Sequence, residues 1–189
     1  MAPAERTIAL PAAGRALLAA VALLPLGCGP SAPPPKPDRP IAAVFQALEG
    51  TVRVQPWGEL EWFPATLAMA LHENDQVRTG FESRAEIRMT DGTQVTVGRD
   101  SLIRMEKSVQ DRTSRGPQSA LSIQAGEANF QTSTTGQGRT TLGTPAVTAR
   151  VERDAVGSLQ VGEGGATGLR LFRGTGEAET GTGQKIVLG

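Results

Sequence analysis

The chain has 189 residues, and its 19 basic and 19 acidic side chains give a formal net charge of zero. A nucleic-acid partner would need a basic footprint, so this balance argues against one. The single cysteine cannot form a disulfide within the chain. Glycine is abundant, with 23 residues, whereas there is no tyrosine and there are five phenylalanines. This composition favours a β protein with many turns and a modest aliphatic core.

Residues 1–27 have the pattern of a secretory signal peptide. Arg6 and Arg15 precede an apolar run from Ala16 to Leu26. This run is too short for a spanning helix of about 20 residues. The run ends in Leu-Pro-Leu-Gly-Cys, which resembles the lipobox of bacterial lipoproteins. The resemblance implies cleavage before Cys28 and lipid attachment to its sulfur. The alternative is an ordinary signal peptide that happens to contain a cysteine.

Residues 28–40 are predicted to be a proline-rich tether after the lipidated cysteine. Six prolines lie between Gly29 and Pro40, and no large apolar side chain does. Such a segment cannot bury a core, and extended chain at about 3.1 Å per residue would span about 37 Å. A lipid, a spacer and a folded body would together hold a domain away from a membrane surface, and several acyl chains would make that anchor stable.

The folded body begins with a short apolar segment, Ile41 to Leu48, that fits either a strand or a brief helix. Thr51 to Val54 alternates between apolar and polar residues and predicts a strand. Leu60 to Phe63 predicts a second strand after a turn at Pro56-Trp57-Gly58. Ala65 to His72 lacks a helix cap, so we interpret it as a loop or an irregular turn.

A hairpin between Ala85 and Val97 is the clearest local prediction, because apolar residues alternate on both sides of an Asp-Gly pair. A two-residue loop would place apolar side chains opposite polar ones. A three-residue loop, Thr90-Asp91-Gly92, keeps one face apolar and puts Gly92 at the left-handed position of a type I turn followed by a bulge. The predicted pairs are Met89 with Thr93, Ile87 with Val95, and Ala85 with Val97.

Further strand candidates follow at short intervals. They are Leu102–Met105, two strands within Leu121–Phe130 on either side of Gly126, Ala146–Val151, Ser158–Val161, Leu169–Phe172 and Lys185–Leu188. Lys107–Gln118 predicts a polar loop, and Thr132–Gly143 predicts a loop or an edge hairpin. With no convincing helix, the predicted fold class is all-β: one β-sandwich or roll of short, mostly antiparallel strands over residues 41–189.

Glycine marks the breaks between these strands. Gly162–Gly168 and Gly174–Gly183 are predicted breaks. Gly162–Gly168 has the wrong spacing for a dinucleotide-binding loop, and Gly183-Gln184-Lys185 lacks the Gly-Lys-Ser/Thr of a phosphate-binding loop, so both are interpreted as turns. An apolar residue two or three places before a glycine recurs at Gly50, Gly126 and Gly174, at unequal spacings. This pattern indicates a recurring strand entry and argues against a solenoid.

A series of short motifs covers the first half of the body. Its members are Trp62, Pro64-Ala65, Leu71, Asn74-Asp75, Thr79-Gly80, Ser83-Arg84 and Asp91-Gly92. The series, with the strand Gly50–Val54 before it, resembles the FecR domain family of periplasmic modules over about residues 48–130. The resemblance implies that Trp62 fills the core. It also implies a domain of the kind that, in iron-dicitrate-type sensors, receives a signal from an outer-membrane transporter.

No catalytic residue, metal site or cofactor is predicted. His72 is the only histidine, and without further ligands at metal-binding spacing it is interpreted as a solvated loop residue. Glu59 and Glu61 would share one face of a strand, and a solvated face is the simpler interpretation. Neither Ser101 nor Ser119 lies in a nucleophile motif or near a base in sequence.

Trp57 is the one candidate ligand contact. Trp57, Trp62 and Phe63 lie within seven residues, and exposed tryptophans can stack on sugar rings of the envelope. The alternative is that Trp57 caps its turn and contacts no ligand.

The sequence therefore predicts a non-catalytic, lipid-anchored FecR-domain protein of the cell envelope that binds proteins, senses a signal or acts as a scaffold. Expected partners are other envelope proteins, including outer-membrane or sensor components, contacted through a sheet edge or the glycine-rich loops. Because Gly29 follows Cys28, resemblance to proteobacterial lipoproteins implies the outer membrane, facing the periplasm. The alternatives are a glycan- or peptidoglycan-binding module that uses Trp57, and an envelope hydrolase with two carboxylates about 5–10 Å apart.

Overall fold

A computed structural model describes residues 39–106, 119–134 and 139–189, and strands occupy most of them. The strands are β1 Ile41–Glu49, β2 Val52–Gln55, β3 Phe63–Pro64, β4 Ala70–His72, β5 Gln76–Thr79, β6 Arg84–Met89, β7 Gln94–Val97, β8 Leu102–Met105, β9 Ala120–Gln131, β10 Thr140–Gly143, β11 Val147–Val151, β12 Val156–Val161, β13 Thr167–Arg173, β14 Gly176–Thr180 and β15 Lys185–Leu188. The described ranges contain one 3-10 turn, Glu163–Gly165, and no α-helix. The predicted all-β class is confirmed.

The strands form two sheets that share β9. The first sheet has the order β4-β1-β6-β7-β9-β12-β13, and the second has the order β3-β2-β5-β8-β9-β10-β11-β14-β15. Within the described ranges every pairing is antiparallel except that of β9 with β10. The prediction of mostly antiparallel strands is therefore confirmed.

Strand β9 crosses from one sheet to the other at a single glycine. Its first half, up to Ala125, pairs with β8 and β10, and its second half, from Gly126, pairs with β7 and β12. Gly126 has φ +87°, in the left-handed region that favours glycine. The prediction of two separate strands around Gly126 is wrong, because the glycine bends one continuous strand instead of ending it.

The same crossing occurs at all three glycines of the recurring pattern. At Gly50 the chain passes from β1 in the first sheet to β2 in the second, and at Gly174 it passes from β13 to β14. Gly50 and Gly174 also have positive φ, at +70° and +94°. The recurring glycines are therefore the corners at which the chain moves between sheets.

Each corner packs against a second crossing whose central residue is small. A Cβ added to Gly50, Gly126 or Gly174 would lie 2.6 Å from Ser83 Oγ, 2.6 Å from Ser101 Cα or 2.7 Å from Ala155 Cα, respectively. The hydrogen bonds repeat as well. In each corner, the carbonyl oxygen of the residue after the glycine accepts a hydrogen bond from the backbone N–H three residues before the small residue. Gly80 N–H donates to Thr51 O, Gly98 N–H to Glu127 O, and Glu152 N–H to Thr175 O. In two corners the serine hydroxyl also accepts the N–H that follows the glycine, at 2.8 Å for Thr51 and 3.0 Å for Glu127.

The inward-facing side chains of both sheets form one hydrophobic core. Its largest fully buried members are Phe45, Leu71, Ile87, Ile103, Met105, Leu121, Ile123, Leu142, Leu159, Val77, Val95 and Val97. They come from strands in which buried and exposed residues alternate, such as β6 and β7. Apolar burial at about 25 cal/mol per Å² is the main term that stabilises such a body.

The predicted hairpin register is confirmed. Ile87 lies opposite Val95 and Ala85 lies opposite Val97, as β6 and β7 pair. The Met89 N–H donates to Thr93 O at 2.8 Å, and Gly92 has φ +89°. Asp91 Oδ1 accepts the Thr93 N–H at 2.8 Å, which closes the turn through a side chain.

Several predicted elements differ from the structure. Leu60–Phe63 is not a strand, since only Phe63 and Pro64 pair with β2 and the Leu60 side chain is fully solvated. Ile41–Leu48 is a strand and not a helix. Part of Ala65–His72 forms β4. Three further segments are strands that the pattern did not suggest. Strand β5 covers Gln76–Thr79, and β14 lies inside the predicted break Gly174–Gly183. Strand β10 lies inside Thr132–Gly143, between β9 and β11 and not at an edge. The predicted loop Lys107–Gln118 falls outside the described residues.

Candidate binding surfaces

A buried carboxylate, Asp75, holds together three parts of the chain. Its side chain is 4% exposed, and its Oδ1 accepts hydrogen bonds from Arg39 Nη1 at 2.8 Å and from the Trp57 backbone N–H at 2.9 Å. Oδ2 accepts the His72 N–H at 2.9 Å. Asp75 thus fixes the first described residues of the body, the Trp57 turn and the β4–β5 turn against one another. The carboxylate has this position because Asn74, with φ +66°, reverses the chain just before it.

Trp57, the candidate ligand contact, and His72, the predicted solvated loop histidine, both lie near Asp75 and are placed differently from each other. Trp57 is 57% exposed, and its backbone N–H donates a hydrogen bond to Asp75. His72 lies on β4, half-buried, with Nδ1 3.6 Å from Asp75 Oδ2, so the prediction of a solvated loop histidine is wrong. The contact partner of His72 is a carboxylate that also bonds its backbone.

Trp62 lies outside the core, contrary to the expectation from the family resemblance. It is half-buried and absent from the core cluster of the described residues. It lies on the outer side of the second sheet, where it lines a cavity of about 310 Å³ with Thr51, Arg53, Arg78, Thr79 and Gly80. Strand alternation explains this, because Phe63 follows Trp62 and pairs with the inward-facing Val54.

Three arginines share that outer side, and we call them the arginine face: Arg53 on β2, Arg78 on β5 and Arg104 on β8. Arg53 lies directly opposite Arg78. Arg104 lies opposite Gln76, one diagonal step from Arg78. The cluster is not apparent in the sequence, because it depends on β2 pairing with β5 across the intervening β3 and β4.

A second concavity of about 440 Å³ lies on the outer side of the first sheet. Its most exposed apolar member is Phe81, with the Arg99 guanidinium carbon 5.9 Å from the ring centroid. Carboxylates of Glu49, Glu82 and Glu127 line the same concavity. Its charges are mixed in sign, so it presents no uniform field to a ligand.

The serines considered as nucleophiles have structural surroundings. Ser101 Oγ donates to Arg99 O at 2.9 Å and accepts the Glu127 N–H, so it belongs to the Gly126 corner. Ser119 is buried. Among the described residues no three His, Cys, Asp or Glu side chains are grouped as metal ligands. In the same ranges no helix has the length and apolar character that crossing a membrane requires. Cys28 lies outside the described residues.

Comparisons with known proteins relate the chain to one family. The FecR protein family model matches residues 75–175. Among solved structures, a cell surface anchoring domain is 27% identical over 35% of this chain and 87% of its own, with a TM-score of 0.34. A crystal structure of a proposed anti-sigma factor from Parabacteroides distasonis ATCC 8503 is 12% identical over 60% of this chain, with a TM-score of 0.49. The match spans half the length of that second protein. No curated protein matches the chain significantly.

Proposed function

The chain belongs to the FecR protein family, and from that membership we propose that it is a non-catalytic, lipid-anchored module of the cell envelope that binds other envelope proteins. The observation that carries the proposal is the combination of a FecR match over residues 75–175 with a lipobox-like sequence ending at Cys28. Acyl chains on Cys28 would hold the β body at the outer membrane, facing the periplasm, and residues 29–40 would act as the spacer.

The partner surface that we propose is the free edge of the second sheet. Strand β15 pairs with β14 on one side only, within the described ranges. Its Val187 is 84% exposed. An edge strand presents unpaired N–H and C=O groups that can add a strand from another chain, and such edges are otherwise commonly protected by charge or proline. A sensing or scaffolding role fits a body that offers a free edge to a partner.

Capture of partners from membranes tests this role. The intact lipoprotein is purified from membranes under mild detergent, and co-purifying envelope proteins are identified by mass spectrometry. Val187→Lys places a charge on the β15 edge and is expected to reduce capture at least tenfold. Phe172→Lys on β13, which is 67% exposed at the far edge of the first sheet, is the matched control and should leave capture unchanged. Equal capture by wild type and Val187→Lys would contradict the proposed edge.

Glycan binding is the second candidate, and the exposed ring of Trp57 favours it. Soluble peptidoglycan fragments should then quench tryptophan fluorescence, and Trp57→Ala should abolish the effect while Trp62 remains. No quenching at millimolar fragment concentration would exclude this candidate.

A further inference from the structure

The arginine face consists of three arginines that form no ion pair within the described part of the chain. Like charges directly opposite each other on a sheet are destabilising, yet Arg53 and Arg78 occupy such positions. Arg84, Arg139, Arg150 and Arg173 each form an ion pair with a carboxylate. Within residues 39–106, 119–134 and 139–189, no carboxylate forms an ion pair with Arg53, Arg78 or Arg104. In those ranges Arg104 Nε is also buried without a hydrogen-bond partner. Of the three, Arg53 and Arg78 are exposed and so are available to an external anion.

Aromatic and apolar groups border the same face. Trp62 lines the cavity between Arg53 and Arg78. The loop from β2 to β3 then exposes Trp57 and Leu60, with Leu60 93% exposed. Tryptophan is enriched where one end of the side chain meets an apolar phase and the other meets water. The same loop carries Glu59 and Glu61, which oppose an anionic surface. Arginines beside exposed tryptophan and leucine match the headgroup region of a bilayer, where phosphate lies above the acyl chains.

The position of the N-terminal segment brings a membrane within reach. Asp75 bonds both Arg39 and the Trp57 backbone, so the described chain begins beside the exposed loop. Cys28 is 11 residues before Arg39, and a fully extended chain of that length would reach at most about 40 Å. A membrane that holds residue 28 can therefore contact the arginine face without distortion of the body.

We propose that the arginine face and the Trp57–Trp62 loop bind the phosphate headgroups of anionic phospholipids, so that the outer side of the second sheet lies on a membrane surface. Guanidinium groups bind phosphate oxygens through paired N–H donors, which suits closely spaced arginines. Each basic residue near an anionic surface contributes about fivefold in membrane partitioning. The three arginines exceed the two carboxylates of the loop, Glu59 and Glu61, by one charge, so the expected preference for anionic lipid is about fivefold. This contact goes beyond a lipid anchor, because it orients the body and selects anionic lipids.

The two tryptophans of the chain make the test specific, since Trp57 and Trp62 are the only ones and both border the arginine face. The full chain is reconstituted into vesicles of phosphatidylcholine alone, or of phosphatidylcholine with 30% phosphatidylglycerol, a composition that we choose. Brominated lipids in each set quench tryptophan on contact. We expect quenching in the anionic vesicles, weak quenching in the neutral ones, and loss of the difference in high salt because surface attraction is screened.

Matched charge removal locates the contact. Arg53→Gln with Arg78→Gln should reduce the anionic-specific quenching to about the neutral level. The control double variant, Arg88→Gln with Arg170→Gln, removes the same charge from exposed positions of the first sheet. It should leave the anionic-specific quenching unchanged. Equal quenching in both lipid compositions, or equal loss in both double variants, would overturn the proposal. Every sample contains the same N-terminal segment and only lipid charge varies, so the outcome is independent of whether Cys28 is acylated.

Discussion

Asp75 shows how one side chain can organise a distant part of the chain. Its carboxylate accepts an Arg39 hydrogen bond across 36 residues and a Trp57 hydrogen bond across 18. A buried polar group adds little net stability while its hydrogen bonds are formed. When it is removed, its former partners stay buried without a hydrogen bond, and this lowers the free energy of unfolding. We therefore regard Asp75 as the residue that fixes where the N-terminal segment meets the body.

Asp75→Ala should destabilise the body by about 3 kcal/mol, because it leaves the Arg39 guanidinium and two buried or half-buried N–H groups without their acceptor. Arg39→Gln should cost about 1 kcal/mol, since Asp75 keeps its two backbone donors. Urea unfolding followed by circular dichroism measures both. Equal costs for the two variants would show that the backbone hydrogen bonds to Asp75 contribute nothing.

The small residues at the corners give a second test at this scale. Ser101→Ala removes the hydroxyl that accepts the Glu127 N–H and should cost about 1–2 kcal/mol. Ala155→Ser introduces the equivalent hydroxyl at the corner where the structure has none, and Thr175 is its expected donor. We expect Ala155→Ser to be neutral or to stabilise by up to about 1 kcal/mol, measured by the same urea unfolding. A large loss on Ala155→Ser would contradict the equivalence of the corners.

At the scale of elements, the crossing strands are the main determinant of the architecture. Gly126 allows β9 to contribute to both sheets, and Gly50 and Gly174 allow the same passage between consecutive strands. Each requires positive φ and close contact with the facing crossing. The three corners therefore connect the two sheets.

Gly126→Ala should be strongly destabilising, at about 2–5 kcal/mol. The left-handed conformation costs about 1–2 kcal/mol for a residue with a Cβ, and overpacking against Ser101 costs about 1–3 kcal/mol more. Gly164→Ala is the matched control: its φ is +72°, but no atom lies within 4 Å of the added Cβ. We expect only about 1–2 kcal/mol there. Similar thermal unfolding shifts for both variants would show that the corner contact has no energetic role.

Local pattern predicted those elements whose information is local. The β6–β7 register followed from parity, because one slipped residue would have exposed Ile87 and Val95. Strand β14 could not be predicted in this way. Its inward positions are Gly176 and Ala178, which carry almost no hydrophobic signal, and its burial comes from pairing with β11. The bend in β9 was missed because a glycine inside a strand and a glycine between strands look alike in sequence.

The candidate surfaces were harder to predict than the strands. The turn at Pro56-Trp57-Gly58 was predicted from its residues, and Trp57 is exposed there. Contact between Trp57 and a ligand stays a prediction. The arginine face requires β2, β5 and β8 to be neighbours in the second sheet, and no local pattern specifies that order. The expected core position of Trp62 came from resemblance, and strand alternation beside Phe63 places the side chain outside instead.

At the scale of the whole molecule, the proposed arrangement is a β body held beside a membrane in two ways. Acylation of Cys28 would limit its distance from the surface, and the arginine face would set its orientation. The free edge at β15 belongs to the second sheet, in which the arginine face lies at the opposite end of the strand order. A partner could therefore add to β15 while β2, β5 and β8 contact the lipid.

Intact mass spectrometry of the protein extracted from membranes tests the central claim most directly. We predict a polypeptide that begins at Cys28 and carries acyl chains, and we predict that Cys28→Ser removes both the acyl mass and the cleavage. Recovery of the wild-type chain from the soluble fraction with Met1 retained, or with an unmodified Cys28 after cleavage elsewhere, would contradict the claim.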